Sequence, residues 1–185
     1  MAESFGKYVG ILGDPACRPG WQKNFPRIAD LLWETYQPSH VFVPGDVTEW
    51  GMVTEHEEML EYCRKYPWEW LVAMGDHDSP TNVFERYWGP AQKNGLSQDC
   101  TSRFLAVLDD LQDQVQACFF GHIHSFDRKE YRGIPLIVTG AGGAAARGLG
   151  VDGYEGTRPF QAMALDTSSG EIHLLEDEES FNQPS

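Results

Sequence analysis

Apolar and polar positions along this chain switch between two periods, and the switches mark out its elements. Three short apolar runs, "YVGILGD" ending at Asp14, "VFVPGD" ending at Asp46 and "WLVAMGD" ending at Asp76, all close on Gly-Asp. The aspartates lie 32 and 30 residues apart, the length of a strand–helix–strand unit. Between them, residues 24–37 and 54–66 carry apolar side chains at helical spacing, with Asn24 placed to cap the first helix. A third helical pattern, 102–114, leads into a fourth apolar run, "VQACFFGH", which ends at His122. Continuous apolar runs of this kind suit buried parallel strands, and a Gly before each terminal residue allows a sharp turn.

The C-terminal third changes character. Residues 126–133, 134–140, 160–166 and 170–176 read as strands joined by Gly-containing turns, so a mixed or antiparallel sheet is expected there. A Gly-rich loop, 140–156, interrupts them. Its "GAGGAA" is no dinucleotide fingerprint, because "RGLGVDGYEG" after it cannot form the required helix. Neither a G-x-x-x-x-G-K-[ST] loop nor a G-x-S-x-G elbow occurs, and no cysteine has an Arg six positions on. The whole chain, 1–185, reads as one domain with an acidic tail from about residue 177, and "EDEE" at 176–179 as solvated.

Ligands in open α/β sheets gather beyond the carboxyl ends of the strands, which here carry Asp14, Asp46, Asp76 and His122. "GDHD" adds His77 and Asp78, and "GHIH" adds His124, which on a regular strand would share a face with His122. Converging carboxylates repel one another, and a divalent cation removes that cost. Asp with His suits Mn, Fe or Zn, one ion or two. Two such ions about 3.5–4 Å apart are the usual arrangement for hydrolysing phosphoesters. Each motif alone is common; the four in this order point to a shared site.

In that order they resemble the calcineurin-like metallophosphoesterases, whose signature runs D-x-H, G-D, G-N-H-D/E, an isolated His, then G-H-x-H. The resemblance spans about residues 7–145, and "GIPLIVTGAGG" is similar to the branch holding purple acid phosphatases and cyclic-nucleotide phosphodiesterases. It implies an α/β sandwich of two mixed sheets flanked by helices. It further implies Asp14 and His124 on one metal, Asp76 and His122 on the other, Asp46 between them, and His77, with Asp78 beside it, in the catalytic role. Three departures stand out: Ala16 replaces the His of D-x-H, Asp76 replaces the Asn of G-N-H-D, and no His occurs between Ser79 and Gly121. That interval is short for the family, so one or two strands are expected to be missing, with a second copy covering the bare edge as a homodimer. Two functions follow: a working metal-dependent phosphoesterase with an altered site, or a degenerate relative serving as a binding or structural module.

Charge and composition narrow the partners. A net charge of −14 argues against duplex nucleic acid, while a bound metal still admits a small phosphorylated substrate. Arg147 in the Gly-rich loop is the candidate contact to its phosphate. No apolar run approaches the roughly 20 residues that span a bilayer, so no membrane partner is expected. "MAESFGKYVG" lacks a secretory pattern, and Cys17, Cys63, Cys100 and Cys118 are widely spaced, so a cytoplasmic protein with reduced thiols is expected. Trp33 and Trp68 are expected in the core; Trp50 follows "GDVTE" and either packs inside or walls the site.

Overall fold

Among the described residues, eight strands and four helices follow one another as β1 (Tyr8–Ile11), α1 (Trp21–Tyr36), β2 (His40–Val43), α2 (Val53–Cys63), β3 (Glu69–Val72), α3 (Phe84–Trp88), α4 (Gln98–Asp110), β4 (Cys118–Phe120), β5 (Phe126–Tyr131), β6 (Ile134–Thr139), β7 (Phe160–Asp166) and β8 (Ile172–Asp177). The structure, a computed structural model, describes residues 6–16, 20–78, 83–88, 98–111, 113–122, 124, 126–140, 142–143 and 160–177, with backbone only for 98–103. Among these residues no helix is long and apolar enough to cross a membrane.

The strands form two mixed sheets. The first has the order β3-β2-β1-β7-β8, with β1, β2 and β3 parallel and β7 and β8 antiparallel additions. The second has the order β4-β6-β5, with β4 parallel to β6 and β5 paired to it as a hairpin. The run ending at His122 therefore does not extend the Asp series within one sheet. The edge of β1 that it would need is taken by β7, and β4 pairs with β6 instead.

Period-two alternation sorts the side chains into two apolar layers. Ile11 and Met163 face the second sheet, where they meet Ile137 with Phe42, Phe119 and Phe126. Their neighbours Leu12, Val41, Val43, Ala162 and Ala164 face the helices and meet Phe25, Ile28, Leu32 and Met59. Ala162 and Ala164 are small and fully buried, which lets α1 lie close over β7. Trp68 is buried and stacks on Tyr66 at 4.4 Å, while Trp33 is half-buried against the same core.

Three local expectations change. Helix α1 starts at Trp21 behind Gly20, which caps it with a φ of 91°, so Asn24 lies inside the helix. Its side chain instead donates to the Gly143 carbonyl at 3.4 Å, tying α1 to the loop after β6. Glu176 and Asp177 belong to β8 rather than to a solvated tail: Glu176 accepts from Gln161, and Asp177 is buried in an ion pair with Arg27 at 3.0 Å. The remaining tail, 178–185, lies outside the described residues. Helix α3 was not expected, because five residues are too few to show a period.

Candidate functional site

The carboxyl ends of β1, β2 and β4 turn into residues with backbone rarely seen outside glycine. Asp14, Asp46 and His122 have φ of 46°, 56° and 73°, three of the five non-Gly residues with positive φ among those described. Such conformations cost about 1–3 kcal/mol each and cluster at functional sites. Gly75 and Gly121 have ordinary φ and serve close approach, since a Cβ on Gly75 would strike the Asp46 carboxylate and one on Gly121 the Asp14 carboxylate, whereas Gly45, before Asp46, turns the chain with φ 134°. His122 lies beyond the end of β4, so strand alternation does not relate it to His124. Its side chain is exposed beside Asp76, whereas His124 is buried beside Asp14.

All seven residues expected at the strand ends meet in one place. His122 Nδ1 lies 2.7 Å from Asp76 Oδ1, and donor atoms of Asp46, Asp76 and His122 all lie within 4.8 Å of one another. The His122 amide donates to Asp14 Oδ1 at 3.0 Å, joining the two sheets across the site. His124 Nε2 sits 3.8 Å from Asp14 Oδ2. The His77 amide donates to Asp46 Oδ1 at 3.2 Å, and the His77 ring bonds the Glu49 carbonyl through Nδ1 at 2.7 Å. A carbonyl only accepts, so Nδ1 carries the hydrogen and Nε2 is the nitrogen left for proton transfer.

Burial and crowding set the electrostatics. Removal from water, then the neighbouring Asp46 charge, push the Asp14 carboxyl well above its usual range, against the opposing pull of the His122 amide. Burial followed by the charges of Asp76 and Asp78 raises Asp46 to about 6. Asp14 Oδ2 and Asp46 Oδ2 are buried with no hydrogen-bond partner among the described residues. A cation suits such oxygens: it supplies the missing partner and the missing charge together. Asp46, Asp76 and His122 fit one divalent ion as a carboxylate–imidazole set, and Asp14 with His124 offers a second pair beside it.

Asp78 is placed differently from the others. It is fully buried and accepts from the Gly75 amide at 2.9 Å, the Thr48 amide and hydroxyl at 2.9 and 2.7 Å, and the Val47 amide at 3.3 Å. It therefore ties the ends of β2 and β3 together. Burial raises its carboxyl while these donors oppose the rise. Thr48 and Glu55 were not singled out in the sequence. Thr48 passes the network on to the Gly51 amide, and Glu55 accepts from the amides of Trp50 and Met52. The only sequence signal for Glu55 is a carboxylate three residues into a helix, as in a capping box.

Ala16 is buried close to Asp14, with its amide 3.5 Å from the Asp46 carbonyl, so a methyl stands where the motif carries an imidazole. Arg147 and Cys17 lie outside the described residues. Cys63 and Cys118 are free thiols, and burial pushes Cys63 up to about 12. Trp50 does not pack inside; it is 63 % exposed.

No family profile and no curated protein sequence matches the chain. Solved structures do match by fold. An archaeal phosphodiesterase is 12% identical with a TM-score of 0.54, over 92% of this chain and 99% of that one. Vps29 from Chaetomium thermophilum is 15% identical with a TM-score of 0.54, over 93% and 97%. GAP50, the anchor in the inner membrane complex of Plasmodium, is 12% identical with a TM-score of 0.58, over 91% and 88%. With its two mixed sheets, flanking helices and acidic strand ends, the chain has the fold of the calcineurin-like metallophosphoesterases.

Proposed function

We propose that this protein is a metal-dependent phosphoesterase that hydrolyses a small phosphomonoester or phosphodiester with water. The observation that carries this reading is the convergence of Asp46, Asp76 and His122 within 4.8 Å, next to buried Asp14 and Asp46 oxygens that have no hydrogen-bond partner among the described residues. Asp46, Asp76 and His122 would hold one divalent ion, Mn, Fe or Zn, and Asp14 with His124 would hold a second that shares Asp46. Bound there, such ions polarise a phosphoryl group and make a water nucleophilic near neutral pH.

The chain's own groups supply the rest. His77, oriented by the Glu49 carbonyl, delivers a proton from Nε2 to the departing oxygen. Asp78 acts through position: it locks the 47–51 loop onto the end of β3, and that loop carries the carbonyl holding His77. Arg147 is the proposed contact to substrate phosphate. The test is metal content by elemental analysis on protein expressed with added Mn²⁺, together with hydrolysis of p-nitrophenyl phosphate and bis-p-nitrophenyl phosphate. Metal that is lost with the activity in Asp46→Asn supports the reading, and a folded protein that binds no ion overturns it.

A second reading rests on Ala16. One expected ligand is absent at the buried end of the site, and the fold is shared by a protein that serves as an anchor. In that case the chain is a binding module whose site holds an ion without turnover. Stoichiometric metal with no hydrolysis of either ester would select it.

A further inference from the structure

Trp50 is the chain's most exposed large apolar side chain among the described residues, at 63 %, with Met52 at 52 % and Val53 at 38 % beside it in sequence. An exposed tryptophan on a loose loop would mean little, but the backbone under this one is held at both ends of a single peptide unit. The Glu49 carbonyl takes the His77 Nδ1 hydrogen at 2.7 Å. The Trp50 amide on the other side of that peptide donates to Glu55 Oε2 at 3.1 Å, and the Met52 amide donates to the same oxygen at 2.9 Å. Gly51, at φ 65°, is fixed in turn through Thr48 Oγ1 to Asp78. The peptide that orients the His77 imidazole is thus the one that presents the indole.

We infer that Trp50 determines substrate choice at this site by stacking on a flat unsaturated ring carried by the phosphoester. The inference rests on the phosphoesterase reading above and names its substrate class. The immediate surroundings favour stacking over charge. Residues 44–52 and 74–78, which build this side of the site, contain no Lys or Arg, so a ring offers the chain a hold that does not depend on cations. Met52 adds a soft, polarisable neighbour suited to aromatic surfaces. A docking surface for another protein would not require the indole to stand on the peptide unit whose carbonyl holds the His77 ring.

The test compares matched phosphates in zinc-loaded protein: adenosine 5′-monophosphate and phenyl phosphate with rings, ribose 5-phosphate and glycerol phosphate without. Tryptophan fluorescence titration reads binding, and phosphate release reads turnover. Stacking on an aromatic side chain predicts that the ring-bearing ligands bind about 5- to 150-fold tighter, an advantage lost in Trp50→Ala and largely kept in Trp50→Phe. In kinetics the loss should fall on KM and not on kcat, because the indole touches the part of the substrate that does not react. A preference for the nucleotide over phenyl phosphate identifies the ring as a base, and equal preference identifies a simple aryl group. Ring-bearing and ringless ligands bound alike by the wild type, or a preference that survives Trp50→Ala, overturns the inference while leaving hydrolysis standing. Ring-dependent binding without phosphate release, and with no hydrolysis of bis-p-nitrophenyl phosphate, supports it and overturns the hydrolytic reading instead.

Discussion

A site that keeps buried carboxylates charged at neutral pH has a measurable cost in metal-free protein, and Asp46 allows it to be worked out. Its carboxyl rises from 3.8 to about 6, chiefly through burial and then through Asp76 and Asp78. That displacement corresponds to about 3 kcal/mol by which the ionised form is disfavoured in the folded state. The sign follows from proton binding. The folded state holds the Asp46 proton more tightly than the unfolded chain, so metal-free stability falls as pH rises from about 4 through about 6 and stays low above that. Asp14 is raised in the same direction and adds to the effect. For a chain of this size, about 3 kcal/mol is worth about 6–12 °C in Tm.

The perturbation is Asp46→Asn, which removes the charge and keeps Oδ1 as acceptor for the His77 amide. Thermal unfolding is followed in chelator at pH 8 and pH 5, for wild type and variant. In chelator at pH 8 the variant should melt higher by several degrees, and the gap should shrink towards pH 5 as wild-type Asp46 takes up its proton. Adding Mn²⁺ or Zn²⁺ should reverse the order, because the ion binds the native carboxylate and stabilises only the wild type by mass action. A variant no more stable than wild type in chelator at pH 8 would refute the electrostatic reasoning. Ion-induced stabilisation of equal size in both proteins would refute the placement of the ion at Asp46.

Three further outcomes test other parts of the frame. Gly75→Ala places a methyl against the Asp46 carboxylate, and should cost about 1–3 kcal/mol and most of the bound metal, read by calorimetry and elemental analysis. Asp78→Asn turns one acceptor oxygen into a donor facing the amides of Val47 and Gly75. It should lower stability by about 1–3 kcal/mol and speed hydrogen exchange at residues 47–51 in the metal-free protein. Arg27→Ala leaves Asp177 buried without its ion pair, and should lower stability by about 1–2 kcal/mol while metal content stays unchanged.

Much of this frame is legible in the residues. The apolar runs closing on Gly-Asp or Gly-His correspond to β1, β2, β3 and β4, and the 32- and 30-residue spacings to two parallel crossovers. What escapes is set by distant contacts. Nothing in "VQACFFGH" says that β7 occupies the edge of β1 and sends β4 to the other sheet. Nothing in "MGD" or "FGH" says that the glycine makes room for a carboxylate arriving from another strand. Asp78 resembles a second acid in the sequence; only the fold shows its oxygens turned towards Gly75, Val47 and Thr48. Packing inside is one of two readings the residues leave open for Trp50; in the fold Glu55 holds its backbone amide and the side chain is exposed.

The departures from the family pattern also weigh differently once burial is known. Asp76 brings a negative charge where the motif has a neutral amide, but its side chain is 58% exposed, so water screens the extra charge and His122 pairs with it at 2.7 Å. Ala16 is the costlier change. It lies at the buried end, beside an Asp14 with one oxygen lacking a hydrogen-bond partner and its carboxyl held far above the usual range. An ion there would gain most from neutralising charge yet have the fewest ligands to hold it. The exposed end has three donor atoms already converged and less charge to relieve. The two ends of the site therefore differ in kind: the outer one brings three donor atoms together within reach of solvent, while the inner one buries a raised carboxyl with fewer groups to hold an ion, so an ion would enter the outer end first.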